Sequence, residues 1–92
     1  MNILLDKTPD KLAQIMAQNL RKLRKARGIS RKNLADKSKV SYGSIRRFEE
    51  LGEISLKSLL KIAIVLDCTD EFEDAFTQKQ INSIQEIIDG KV

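Results

Sequence analysis

SRKNLADKSKVSYGSIRRFEEL, residues 30–51, contains two helix starts in quick succession. Ser30 is a suitable N-cap for a helix over about 31–37, because a serine hydroxyl can accept from a backbone N–H of the first turn. Leu34 and Ala35 are its inward positions. Ser38 to Ser41 form a short connector with Val40 as its apolar plug, and Ser41 can cap a second helix over about 42–50. Ile45 and Phe48, three residues apart, lie on one side of that helix, and Gly52 follows where a helix-terminating glycine is expected.

Two short helices joined by a tight connector form a helix-turn-helix, whose second helix enters the DNA major groove. With Ile45 and Phe48 inward, helical periodicity turns Tyr42, Gly43, Ser44, Arg46 and Arg47 outward. Tyr42, Ser44, Arg46 and Arg47 are the expected base contacts, since arginine can bind guanine through two parallel hydrogen bonds. Gly43 would let the backbone approach the duplex closely. Arg24, Lys25, Arg31, Lys32, Ser41, Gly43 and Lys57 are the expected contacts to the DNA backbone.

Working outward, Thr8-Pro9-Asp10 is a helix start: a cap, a proline where no N–H is needed, and an acid at the positive end of the dipole. Leu12, Ile15, Met16, Leu20 and Leu23 recur at helical spacing behind it, predicting a first helix over about 9–27 with these residues inward. Ser55 caps a fourth helix whose apolar residues, Leu56 to Leu66, run almost all round and predict the centre of the core. A short acidic helix over 70–76 pairs Phe72 with Phe76. Ser83 and Glu86 match a capping box opening a last helix. Its apolar stripe, Ile81, Ile84, Ile87 and Ile88, is too short to be stable alone and must dock on the domain or on a second subunit. The expectation is an all-α helix-turn-helix domain of about five helices plus a short C-terminal helix. Its expected organisation is an arm over 1–8, the DNA-binding domain over 9–76 and an acidic, Ile-rich segment over 77–92.

With 92 residues, 41% of them hydrophobic, there is room for one compact domain. The net charge of +4 conceals a division: residues 1–66 carry 15 Lys/Arg and 6 Asp/Glu, residues 67–92 carry 2 and 7. A basic body with an acidic tail suits a polyanionic partner. The chain has no histidine, one cysteine (Cys68) and no glycine-rich phosphate loop, so neither catalysis nor a bound metal or cofactor is expected. No apolar run reaches the length of a signal core or membrane span, which points to the cytoplasm. With few aromatics for stacking, single-stranded RNA is a weaker fit than duplex DNA.

From Asn19 to Leu66 the chain resembles the Cro/CI/Xre type of lambda-repressor-like domain. The ordered set Leu23, Gly28, Leu34, Ala35, Val40, Ser41, Ile45, Phe48, Glu49, Ser55, Leu56, Leu59 and Leu66 carries the resemblance. It implies operator binding, usually by symmetric homodimers, in the control of prophage, toxin-antitoxin or host genes. It also implies that Glu49 pairs with Arg24 and orients it for the DNA backbone. Two departures stand out. Arg31 occupies the first position of helix 2, where the family generally has a bracing Gln; it can reach phosphate but is not expected to reproduce that brace. Glu50-Leu51-Gly52-Glu53 is acidic where a basic segment is common, and should contribute little to phosphate binding. Besides a repressor reading an inverted repeat as a homodimer, the chain could serve as an antitoxin binding a toxin, or as a factor bridging other proteins.

Overall fold

The computed structural model describes residues 7–78, so the C-terminal isoleucines, the expected last helix and the apolar residues of the N-terminal arm lie outside the described part. The described residues form five helices and no strand: α1 (Pro9–Ala26), α2 (Arg31–Ser38), α3 (Tyr42–Leu51), α4 (Leu56–Val65) and α5 (Thr69–Glu73). Each of the first four begins at a hydroxyl cap. Thr8, Ser30, Ser41 and Ser55 accept from the backbone N–H of Lys11, Asn33, Ser44 and Ser58 at 3.0–3.1 Å, meeting a donor that the helix leaves unpaired.

Two connected cores hold the helices together. Leu34, Val40, Ile45, Ile62 and Leu66 form one, joining α2, α3 and α4. Ala17, Phe48 and Leu59 form the other, against which Phe72 of α5 packs. Leu20 and Ile54 border both. Val40 fills the angle of the α2–α3 connector at 5% exposure, so the two helices meet through packed side chains rather than through the loop.

Three expectations about packing are corrected. The inward face of α1 is Ala17, Leu20, Leu23 and Arg24, whereas Leu12, Ile15 and Met16 are about half exposed. Small residues face α3, so the two backbones come close and the larger side chains are turned aside. Second, α4 is not buried all round: Leu59, Ile62 and Ala63 are inside, while Leu56, Leu60 and Ile64 form an open stripe at i, i+4 and i+8. Third, α5 stops at Glu73, and Phe76, with a φ of 64°, is wholly exposed rather than stacked in register with Phe72.

The close approach of α1 and α3 explains Gly52. It ends α3 at a φ of 77°, and a Cβ there would stand 3.1 Å from the carbonyl carbon and Cβ of Ala13. Gly52→Ala should therefore combine left-handed strain with a clash against a helix backbone that cannot step aside, costing roughly 1–3 kcal/mol. Urea unfolding of the variant measures this; a midpoint equal to that of the unmodified protein would remove the argument.

Candidate nucleic-acid interface

The interface is built on one buried carboxylate. Glu49, on the inner side of α3, accepts from Arg24 Nε (2.7 Å, to Oε2) and Arg24 Nη2 (3.0 Å, to Oε1), a two-pronged pair between α3 and α1. Arg24 Nη1 donates to the Ile29 carbonyl at 2.8 Å, closing the turn after α1. Arg31 Nε, from the first residue of α2, donates to Glu49 Oε1 at 2.8 Å, and Arg21 Nε lies 4.0 Å from the same oxygen. One acid thus ties three helices together. Burial would raise its pKa, but the hydrogen bonds and charges of Arg24 and Arg31 outweigh that and hold the carboxyl below its ordinary value. The Glu49 hydrogen bond in turn raises the Arg31 pKa against the opposing effect of burial, with Tyr42 adding to the rise.

This network revises two roles. Arg24, expected on the DNA backbone, is only 6% exposed, and its guanidinium is committed to Glu49 and Ile29. It is a structural strut, because a buried guanidinium that left its carboxylate would strand both charges. Arg31, expected not to replace the family's bracing amide, does brace: its Nε locks the start of α2 to α3. Arg31→Ala should cost roughly 1.5–3 kcal/mol, the range for hydrogen bonds to charged groups. Arg31→Lys, which restores the charge but not the side-on donor, should recover less than half of that. Full recovery by lysine in a urea titration would show that charge alone matters.

The outer side of α3 is polar and open. Tyr42, Arg46 and Arg47 are exposed, with Ile45, Phe48 and Glu49 buried behind them. Ser44 is partly covered; its backbone N–H and Oγ both bond Ser41 Oγ, at 3.0 and 2.8 Å, so Ser41 and Ser44 together cap the helix. Gly43 has no neighbour within 4 Å of an added Cβ, so nothing in the described fold demands a glycine there. Lys25 in α1, Lys32 in α2 and Lys57 in α4 are exposed. Lys32, Ser41 and Tyr42 share the lining of an open cleft of about 670 Å³ between α2 and the start of α3.

Sequence reasoning missed the partners of the outer arginines. Arg46 Nε donates to Glu50 at 3.1 Å, and Arg47 reaches Glu53 through Nε at 2.9 Å and Nη2 at 2.6 Å. The acidic 50–53 segment is therefore not a bystander, because Glu50 and Glu53 each pair with an arginine of α3. The spacing of Arg46 and Glu50 at i, i+4 was a signal for the first pair. The second crosses the turn at Gly52 and had none. Among the described residues, every buried side-chain nitrogen and oxygen has a partner, and no cluster of His, Cys, Asp or Glu is placed to hold a metal ion. No helix of the described part is long and apolar enough to cross a membrane.

The helix-turn-helix family model matches residues 20–72, from the middle of α1 through Phe72 of α5. The chain belongs to the Cro/CI/Xre-type helix-turn-helix family. Comparison with curated proteins gives no match. The chain therefore carries the DNA-binding domain of an Xre-type transcription regulator.

Proposed function

We propose that the protein is a repressor that binds an inverted-repeat operator as a homodimer and works in the cytoplasm. In each half-site α3 lies in the major groove. Tyr42, Ser44, Arg46 and Arg47 read bases, and Lys25, Arg31, Lys32, Ser41, Gly43 and Lys57 touch the backbone. Arg24 is left out because it is buried in the fold.

The observation that carries this reading is the two-sided character of α3. Its inner side is bolted to α1 and α2 through Ile45, Phe48 and Glu49, while its outer side presents two guanidinium groups and a phenol to solvent. A rigid helix whose outer arginines stay open to solvent is what base readout requires, because contacts must be held in place before the duplex arrives. Gly43 supports it too. A helix-weakening residue without an internal reason costs about 1 kcal/mol, and close approach of a duplex backbone supplies the reason.

Selection of bound sites from random duplex DNA tests the proposal as a whole. The expected result is an inverted repeat whose half-sites are separated by about one helical turn, roughly 34 Å. Enrichment of a single unrepeated half-site would rule out the symmetric dimer, and no enrichment at all would rule out sequence-specific binding.

A further inference from the structure

The face of the molecule formed by α1, α4 and α5 carries two apolar hollows that share Phe72 as a common wall. One, of about 520 Å³, lies against Met16, Leu20 and Leu23 of α1 and Ala75. The other, of about 460 Å³, lies against Leu60 and Ile64 of α4. The open stripe of α4 extends the second hollow to Leu56, and Ile64 and Leu56 are each about two-thirds exposed. No lining residue of either hollow belongs to α2 or α3. Contiguous apolar surface of this kind marks a place where something docks.

We propose that the chain's own residues 79–92 fill this trough, running antiparallel to α4 with Ile81, Ile84 and Ile88 laid along Ile64, Leu60 and Leu56. Four features of the sequence and structure select this occupant. The first is the tether. Ala75 lines the trough and Ile81 follows it by six positions, so Ile81 is within about 20 Å of the rim at full extension. A segment so tethered acts at an effective concentration in the millimolar range, above that of a second copy at micromolar protein.

Length is the second. At about 1.5 Å per residue, the α4 stripe from Leu56 to Ile64 spans about 12 Å, and a helix from Ile81 to Ile88 spans about 10.5 Å. The third is spacing: Ile81, Ile84 and Ile88 follow i, i+3 and i+7, the spacing of one helical face. The fourth is charge. Residues 80–90 contain Glu86 and Asp89 and no Lys or Arg. At the α5 end of the trough stand Glu71 and Glu73, which repel these acids. Along α4 stand the exposed Lys57 and Lys61, which attract them. The direction that puts Lys79 near α5 and the acids beside α4 is the antiparallel one, and it is also the direction that stretches the tether least.

The inference does not depend on DNA binding, since the trough avoids α2 and α3. It is tested on the full chain by methyl NOE spectra, recorded both on uniformly labelled protein and on an equimolar mixture of labelled and unlabelled protein filtered for intermolecular contacts. Expected are NOEs from Ile81, Ile84 and Ile88 to Leu60, Ile64 and Phe72 that vanish in the intermolecular experiment. Ile84→Asp combined with Ile88→Asp should abolish them and shift the Leu60 and Ile64 methyl resonances. The same NOEs in the filtered mixture would assign the trough to a second copy and overturn the proposal. So would their absence from both spectra.

Discussion

Glu49→Gln is expected to lower the stability of the domain by roughly 3–5 kcal/mol, the range for breaking a buried ion pair on one side. Glutamine keeps the shape of the side chain but not its charge. It leaves Arg24, at 6% exposure, with a nearly buried guanidinium that has lost its counter-charge. For a domain of this size, whose total stability lies between about 5 and 15 kcal/mol, such a loss populates the unfolded state measurably. Urea unfolding followed by circular dichroism reads it directly, and a loss below about 1 kcal/mol would mean that the pair is as weak as a surface one. The double variant Arg24→Met with Glu49→Leu should be more stable than Glu49→Gln, because it removes both charges and fills the space with apolar atoms.

The same residue sets an acid limit. Glu49 has a folded pKa below its ordinary value of 4.5, because Arg24 and Arg31 outweigh the effect of burial. A group depressed on folding binds fewer protons when folded, so its stabilisation is complete above the unfolded pKa and is lost as pH falls through the folded one. Stability should therefore be flat with respect to Glu49 at neutral pH and fall below about pH 4.5, with the fall reduced in Glu49→Gln.

Arg47→Ala is expected to relax the base preference of the protein at one operator position by roughly 1–3 kcal/mol, a factor of about 5 to 150. Lys25→Ala should instead weaken binding to all duplexes alike and reduce the salt slope by about 1. The contrast follows from position. Arg47 is exposed on α3, whereas Lys25 lies in the last turn of α1. In the free protein Arg47 is paired with Glu53, but both side chains are more than half exposed, so the pair contributes at most about 1 kcal/mol and gives way to a base edge. Binding titrations on the selected operator and on its single-base variants, at several salt concentrations, separate the two effects. Equal effects of both substitutions on every duplex would end the division into readers and anchors.

Much of this architecture was legible before any coordinates. Thr8, Ser30, Ser41 and Ser55 marked four helix starts, because a capping hydroxyl and the N–H that donates to it are three residues apart and any chain can be searched for them. Ile45 and Phe48 announced which side of α3 turns inward, since periodicity is also local. The outward set Tyr42, Arg46 and Arg47 followed from the same rule.

What periodicity could not reach was the choice among near-equal faces and partners. Leu12, Ile15 and Met16 looked like the inner stripe of α1, yet Ala17 and Arg24 were chosen, because the contact is decided by how closely Gly52 and Ala13 let α1 and α3 approach. The pairing of Arg24 with Glu49 came from the family resemblance and not from periodicity, and the bond of Arg31 to the same carboxylate, 18 positions away, had no signal in the sequence because only folding brings the two together. Local chemistry thus sets where helices begin and which side is apolar. Which charges are buried and which stay open to a duplex depends on contacts between distant positions, and those exist only once the helices are packed.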